Sequence, residues 1–173
     1  MCIRDRVDLR VGSILNCGGH AYTRDEWKHI ITTIQEYAMM KESKIPVIYG
    51  IDAIHGTNYT MESTLFPQEL STACTWDPEF ARQCAEVTAY ETRASGIPWS
   101  FSPVLDAGRD ARWPRLWETY GEDIHLIKKM GVAYIEGLQG DDIGASDKVA
   151  CTMKHFLGYS TPMRGKDLSL IHI

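Results

Sequence analysis

One stretch decides the fold: Val149-Ala150-Cys151-Thr152-Met153-Lys154-His155. It begins with small and apolar residues, as a strand buried on both faces does, and it then places a cation next to an imidazole. In parallel α/β folds, ligands bind at the carboxyl ends of the strands, so polar residues at such an end indicate a site. Lys154 and His155 are therefore the first candidate site residues.

Two other apolar runs end in polar residues in the same way. Residues 46–51 lead into Asp52, and residues 99–105 lead into Asp106 and an arginine-rich loop that contains Arg115. Because the carboxyl ends of parallel strands share one edge of a sheet, these side chains are expected to meet there.

Helical periodicity fills the segments between these runs. Thr23 and Glu26 form a capping-box pattern ahead of apolar residues at helical spacing. Asp77-Pro78 begins a second helix that Gly96 ends, and Gly121-Glu122-Asp123 begins a third. Strand and helix thus alternate, which predicts an α/β fold with a parallel sheet and right-handed crossovers.

The number of strand–helix units points to part of a larger barrel. Residues 11–15 are predicted as a further, first strand, which gives four units in 173 residues. A complete (β/α)8 TIM-type barrel typically needs about 250 residues, so the chain is predicted to be the first portion of an incomplete barrel. Trp27 and Trp76 lie on helical or near-helical stretches and are expected in the core.

The composition narrows the class of partner. The net charge is -5, and Lys and Arg are scattered without a basic stripe, which disfavours binding to nucleic acid or to an anionic membrane. No apolar run approaches the roughly 18 residues that span a bilayer, so this stretch is predicted to be soluble. Five cysteines without a C-x-x-C pair fit neither a disulfide framework nor a zinc ribbon. A small neutral partner is favoured.

Asp52 and His55 have two interpretations. Asp52 can cap a turn while His55 is a hydrogen-bonded core imidazole. Alternatively, the carboxylate of Asp52 binds a ligand: it can accept two hydrogen bonds from a vicinal diol, and charge-assisted bonds are roughly twice as strong as neutral ones. The second interpretation indicates a sugar.

The arginine-rich loop also has a structural and a sugar-binding interpretation. Arg112 and Arg115 can pair on the surface with nearby acids such as Glu118. However, they stand among Trp113 and Trp117, and guanidinium donors together with tryptophan faces are suited to the hydroxyls and C–H faces of a pyranose. We expect this loop to contact a sugar.

Lys154 is the hardest residue to explain structurally. A lysine at the end of a buried strand needs a counter-charge or a ligand, and pairing with Asp52 is one solution. A metal site built from Asp52, His55 and His155 is another. The sequence has no H-x-H or H-E-x-x-H spacing, and the Lys154 cation would repel a bound ion, so no metal and no cofactor are predicted.

Several motifs occur together in a fixed order. They are G-I-D-A-I-H-G at 50–56, T-L-F-P-Q at 64–68, R-W-P-R at 112–115 with Glu118 and G-E-D at 121–123, and K-H-F at 154–156. From about residue 11 to residue 167 the chain resembles the N-terminal domain of family 3 glycoside hydrolases. Each motif is weak alone, but the ordered set is highly specific.

The resemblance implies a (β/α) barrel whose strand ends bind the non-reducing sugar before the scissile bond. It assigns sugar hydrogen bonds to Asp52, Arg115, Lys154 and His155. The family's reaction is retaining hydrolysis through a covalent glycosyl-enzyme, with an aspartate nucleophile and a separate general acid/base. The expected partner is therefore a β-glycoside.

The segment after K-H-F places the chain within the family. Relatives of the N-acetylhexosaminidase type carry a glycine-histidine-rich loop there, whereas this chain has Leu157-Gly158-Tyr159-Ser160-Thr161-Pro162. It thus resembles the β-glucosidase or β-xylosidase branch, in which a second α/β domain supplies the acid/base glutamate. The family's S-D-W-type nucleophile motif is absent, so no catalytic residue is assigned and the chain alone is predicted to be inactive.

The sequence thus predicts a partial family 3 barrel domain over residues 11–167. Residues 1–10 and 168–173 do not continue the family pattern and are expected to be non-native. The predicted function is that of a fragment of an exo-acting retaining β-glycosidase of the β-glucosidase type, with the sugar-binding residues only. The alternatives are a non-catalytic carbohydrate-binding module and a fragment of a metal-dependent barrel hydrolase.

Overall fold

The computed structural model describes residue 8 and residues 10–16, 19–156 and 158–169. Most of the two segments expected to be non-native, 1–10 and 168–173, therefore lies outside the described residues. The strands are β1 Ser13–Leu15, β2 Ile48–Ile51, β3 Trp99–Ser100 and β4 Ala150–Cys151. The α-helices are α1 Arg24–Met39, α2 Glu69–Ala73, α3 Pro78–Ala94 and α4 Ile124–Gln139, with short 3-10 helices at Leu116–Glu118 and Met163–Gly165.

The four strands form one parallel sheet in the order β1-β2-β3-β4. One long helix follows each of the first three strands, which is the repeating unit of a TIM-type barrel. The prediction of an α/β fold, namely the first portion of a (β/α)8 barrel, is confirmed. The short helix α2 was not predicted, because its five residues are too few to show a helical period.

The long helices begin where the sequence places their caps. The Thr23 hydroxyl accepts from the Glu26 backbone N–H at 3.2 Å, and the Thr23 N–H donates to the Glu26 carboxylate at 2.8 Å. Asp77 accepts from the first turn of α3, and Asp123 accepts from the first turn of α4. These side chains satisfy backbone donors that a helix start otherwise leaves unpaired, so the boundaries are set locally.

A hydrophobic core lies between α1 and the first two strands. Trp27 is fully buried there and packs edge-on against Tyr49 of β2. Trp76, in contrast, is 72% exposed, so the expectation that it lies in the core is wrong. Its backbone adopts a left-handed turn (φ 55°) between α2 and the cap of α3, and a residue in this connecting turn does not share the buried face of either helix.

The third strand is shorter than the predicted run of residues 99–105. Only Trp99–Ser100 pairs continuously, and Val104 then pairs with Lys154 as an isolated bridge. Pro103 has no N–H to donate to a neighbouring strand, so it interrupts the ladder. The bridge at Val104 brings the chain back beside β4, just before Asp106.

No helix in the described part of the chain has the length and apolar character needed to cross a bilayer.

Helices α3 and α4 make close contact at Gly137. A Cβ atom at this position would lie 2.4 Å from the carbonyl oxygen of Arg82 and 2.7 Å from the Cβ of Ala85. Real side chains do not tolerate contacts this short with backbone. The helices therefore approach each other through a glycine.

We expect Gly137→Ala to lower the free energy of unfolding by roughly 1–3 kcal/mol, because overpacking against backbone outweighs the gain in helix propensity of about 1 kcal/mol. Gly12→Ala is the control, since a Cβ at Gly12 has no atom within 4 Å. Urea unfolding of both variants measures the difference. Equal or greater stability of Gly137→Ala would show that the two helices separate without cost.

Candidate active site

Asp52 and Lys154 meet at the carboxyl edge of the sheet. Asp52 directly follows β2, and Lys154 follows β4 after two residues. The Lys154 Nζ donates to Asp52 Oδ1 at 2.5 Å, and both side chains are only partly exposed. The counter-charge that a lysine at a strand end requires is therefore Asp52, which lies 102 residues earlier in the chain.

Asn16 completes the surroundings of the Asp52 carboxylate. Its Nδ2 donates to Asp52 Oδ2 at 2.6 Å, and its Oδ1 accepts from the Asp52 backbone N–H at 2.8 Å. Asn16 directly follows β1, as Asp52 directly follows β2. The sequence analysis missed this residue, although its place after the first strand was a signal that could have found it.

His155 is held by a second buried acid. Asp106 Oδ2 accepts from the His155 backbone N–H at 2.9 Å and lies 2.8 Å from the ring Nδ1. Asp106 is 6% exposed, whereas the imidazole is about a quarter exposed. The carboxylate thus fixes the plane of the ring and favours a proton on Nδ1, which leaves Nε2 as a hydrogen-bond acceptor.

Arg115 makes a two-pronged ion pair with Glu118. Its Nε and Nη2 donate to the two carboxylate oxygens at 2.9 and 2.6 Å, and Nη1 donates to the Tyr159 hydroxyl at 3.3 Å. The hydrogen bonds with Glu118 raise the pKa of Arg115 above its ordinary value, and burial opposes them only in part. The Tyr159 ring also packs edge-on against His155, with centroids 4.6 Å apart. Tyr159 therefore links Arg115 to His155. The charged cluster comprises Asp52, Asp106, Arg115, Glu118, Lys154 and His155.

The two aromatic neighbours of Arg115 differ in exposure. Trp113 is 1% exposed, packs edge-on against Tyr159, and donates from Nε1 to Asp167 at 3.0 Å. The expectation that Trp113 stacks on a sugar is therefore wrong, because its faces are covered by protein. Trp117 is half exposed, and its role as a sugar platform stays a prediction.

Arg112 lies outside this cluster. Its guanidinium donates to both carboxylate oxygens of Asp110 at 2.9 and 2.8 Å. This pairing lowers the pKa of Asp110 to about 2. Arg112 therefore makes the kind of surface pair that was the alternative for this loop.

His55 is held by a backbone carbonyl. Its Nδ1 lies 2.9 Å from the Phe66 carbonyl oxygen and the residue is partly buried, which fits the interpretation of a hydrogen-bonded imidazole. Within residues 8, 10–16, 19–156 and 158–169, no three His, Cys, Asp or Glu side chains are grouped as a metal ion requires. The proposed metal set of Asp52, His55 and His155 is not brought together.

A groove of about 330 Å³ opens beside His155. Its lining includes Asp106, Arg109, Met153, Lys154 and Phe156. This volume falls at the lower end of the range for small-molecule sites, about 300–1,000 Å³, and its mixture of apolar and charged side chains suits a polar ligand with apolar faces. A larger cavity of about 720 Å³ lies beside Val47, before β2 begins, and does not include the charged cluster.

The chain matches a known protein family over nearly its whole length. The family model described as "Glycosyl hydrolase family 3 N terminal domain" matches residues 5–173. The chain belongs to glycosyl hydrolase family 3. The resemblance drawn from the ordered motifs is thereby confirmed, and the relatives that carry this domain are glycoside hydrolases.

Three proteins show how much of a family 3 enzyme is present. A lysosomal beta glucosidase of Dictyostelium discoideum is 41% identical, over 91% of this chain and 21% of that protein. An exo-1,3/1,4-beta-glucanase from a Pseudoalteromonas species has a TM-score of 0.87 at 30% identity, over 96% of this chain and 22% of its own. A beta-glucosidase from Listeria innocua, solved in complex with glucose, has a TM-score of 0.76 at 35% identity, over 89% of this chain and 20% of its own. The family 3 chain thus spans about a fifth of the length of these relatives.

A buried acid, Glu69, lies close to the charged cluster. Glu69 is 2% exposed, and neither carboxylate oxygen has a hydrogen-bond partner among the described residues. Burial raises the pKa of Glu69 well above its ordinary value of 4.5, and the negative charge of Glu118 adds to the effect. The cations of Lys154 and Arg115 oppose it without cancelling it.

This raised pKa makes a pH-dependent contribution to stability. Because the unfolded chain releases the Glu69 proton near pH 4.5 and the folded chain holds it to higher pH, the contribution is present below pH 4.5 and is lost as pH rises. We therefore expect Glu69→Gln to raise the free energy of unfolding at pH 7 by roughly 1–3 kcal/mol, because the neutral amide avoids the cost of burying an unpaired carboxylate or of protonating it at this pH. The gain should shrink at pH 4.

Denaturant titrations at the two pH values measure this dependence. Glu79→Gln is the control of opposite sign, because pairing with Arg82 lowers the pKa of exposed Glu79 to about 2. That variant should be slightly less stable than the parent at pH 7. A gain from Glu69→Gln that is the same at pH 4 and pH 7 would contradict a raised pKa for Glu69.

Proposed function

We propose that this chain forms the sugar-binding part of an exo-acting, retaining β-glycosidase of the β-glucosidase type. Asp52, Arg115, Lys154 and His155 bind the hydroxyls of the non-reducing sugar. The observation that carries the proposal is the partly exposed Asp52–Lys154 ion pair at the carboxyl edge of the sheet, next to His155.

The chemistry of these groups suits a neutral polyol. Each carboxylate oxygen of Asp52 has two lone pairs and one donor from the protein, so each can accept one sugar hydroxyl. The Lys154 ammonium has three donors, of which Asp52 uses one in this arrangement. His155 adds an oriented ring nitrogen, and Arg115 adds the guanidinium nitrogen that faces Tyr159. These groups together match alternating hydroxyls around a pyranose.

The similarity to sugar-bound relatives supports the same ligand class. The Listeria innocua beta-glucosidase was solved with glucose, and its similarity covers 89% of this chain. We infer that the strand ends described here bind a sugar of the same class. The short share of each relative that is matched supports a second α/β domain in the full-length protein.

The reaction itself needs carboxylates that the cluster does not offer. Retaining glycosidases use two carboxyl groups about 5–5.5 Å apart, one as nucleophile and one as acid/base. In the cluster, Asp52 is held by Lys154 and Asn16, Asp106 by His155, and Glu118 by Arg115. We infer that the nucleophile and the acid/base come from outside this chain, and that the described cluster positions the sugar for them.

Sugar binding is the first test. Methyl β-D-glucoside is titrated into the isotope-labelled chain and followed by amide chemical shifts. We expect saturable shifts near residues 52, 106 and 154, and about 10–100-fold weaker binding by Asp52→Asn, which loses a charged hydrogen-bond acceptor. Asp25→Asn is the control, because Asp25 is highly exposed on α1. If the Asp25 and Asp52 variants bind equally well, the site lies elsewhere.

Hydrolysis is the second test. The isolated chain is incubated with aryl β-glucosides and aryl β-xylosides, and release of the phenol is measured. We expect no turnover above the buffer rate, since we infer that the nucleophile and the acid/base come from outside this chain. Turnover that Asp52→Ala abolishes would place the chemistry within this chain. Binding of zinc at one equivalent would instead favour the metal-dependent hydrolase.

A further inference from the structure

We propose that Asn16 is a positioning residue that orients the Asp52 carboxylate for recognition of a sugar diol. The inference rests on the proposed sugar-binding function and assigns a role to a residue outside the four predicted ones. Asn16 contacts Asp52 at two points, through Nδ2 at the carboxylate and through Oδ1 at the backbone N–H. One amide therefore holds both the carboxylate and the backbone N–H of Asp52.

The position of Asn16 is itself set by the ends of the first two strands. Its backbone N–H donates to the Gly50 carbonyl at 2.9 Å, and its carbonyl accepts from the Tyr49 hydroxyl at 2.5 Å. Its backbone is left-handed, with φ 49°, a conformation that asparagine tolerates better than most residues. The turn after β1 thus directs the amide onto the end of β2.

The two donors to Asp52 divide its carboxylate evenly. Lys154 binds Oδ1 and Asn16 binds Oδ2, which leaves one lone pair on each oxygen for a hydroxyl. Without the Asn16 amide, the carboxylate can rotate so that both oxygens face the Lys154 ammonium. The two free lone pairs would then point in other directions, although their number and the charge of the site would not change. Asn16 therefore determines the direction in which Asp52 accepts hydroxyls.

A purely structural role for Asn16 makes a different prediction. If Asn16 only completes the turn after β1, its loss lowers the stability of the chain and weakens all sugars by a common factor. If it orients Asp52, its loss affects a sugar with the recognised hydroxyls more than an analogue that lacks one of them. Discrimination between analogues therefore separates the two roles.

Asn16→Gly and Asn16→Asp test this difference. Glycine adopts φ 49° without strain and removes only the side chain, whereas aspartate keeps the acceptor for the Asp52 N–H but replaces the donor with a like charge. Lys44→Gly is the matched control, because Lys44 is exposed and has a similar left-handed backbone with φ 47°. If the glycine variant fails to fold, the aspartate variant carries the test.

The experiment measures dissociation constants of methyl β-D-glucoside and its 2-, 3-, 4- and 6-deoxy analogues for each variant. In the parent chain we expect at least one deoxy analogue to bind about tenfold more weakly than the glucoside, the effect of one lost hydrogen bond. In Asn16→Gly the glucoside should bind about tenfold more weakly, and the largest deoxy penalty should fall below about threefold. Lys44→Gly should match the parent.

Three outcomes overturn the inference in different ways. Unchanged binding by Asn16→Gly, or a common weakening of all five sugars, excludes the positioning role but leaves the proposed function intact. Failure of the parent chain to bind any of the sugars removes the proposed function, and the inference with it. Tighter binding by Asn16→Asp than by Asn16→Gly would show that the donor to the carboxylate is unimportant.

Discussion

The ion pair between Asp52 and Lys154 is the interaction on which the described site depends. It joins the end of β2 to the chain after β4, across 102 residues, and neither partner could be buried to this extent alone. Burying two charges costs about as much as their attraction returns, so such a pair is weak evidence for stability. The proposed sugar-binding role gives a reason for the position of these two charges at the strand ends.

The rest of the cluster follows the same principle of paired charges. Asp106 faces His155 and Glu118 faces Arg115, while the Tyr159 ring and hydroxyl contact both of these pairs. Lys154, Arg115 and His155 therefore each face an acid, and together they present ordered donors and acceptors without a large excess of either charge. This is the environment that a neutral polyol requires, whereas a phosphate or a carboxylate ligand would need unpaired cations.

The long helices were predictable from sequence because their determinants are local. The capping box at Thr23 and the proline at the start of α3 act within one turn of the residues they organise. The strands were predicted less accurately, since their extent depends on a partner far along the chain. Pro103 interrupts the third strand, and Val104 pairs again only because Lys154 lies opposite.

The site residues, too, were predictable where the signal is local in the sequence and not where it depends on distant contacts. The ends of the strands and the ordered motifs pointed to Asp52 and Lys154, because a polar residue after an apolar run is visible in the sequence. Asn16 and the buried state of Trp113 were not visible, because they depend on which direction a side chain takes and on contacts 36 and 54 residues away. The sequence could therefore identify the polar groups at the strand ends, but only the fold reveals that Asn16 hydrogen-bonds to the Asp52 carboxylate.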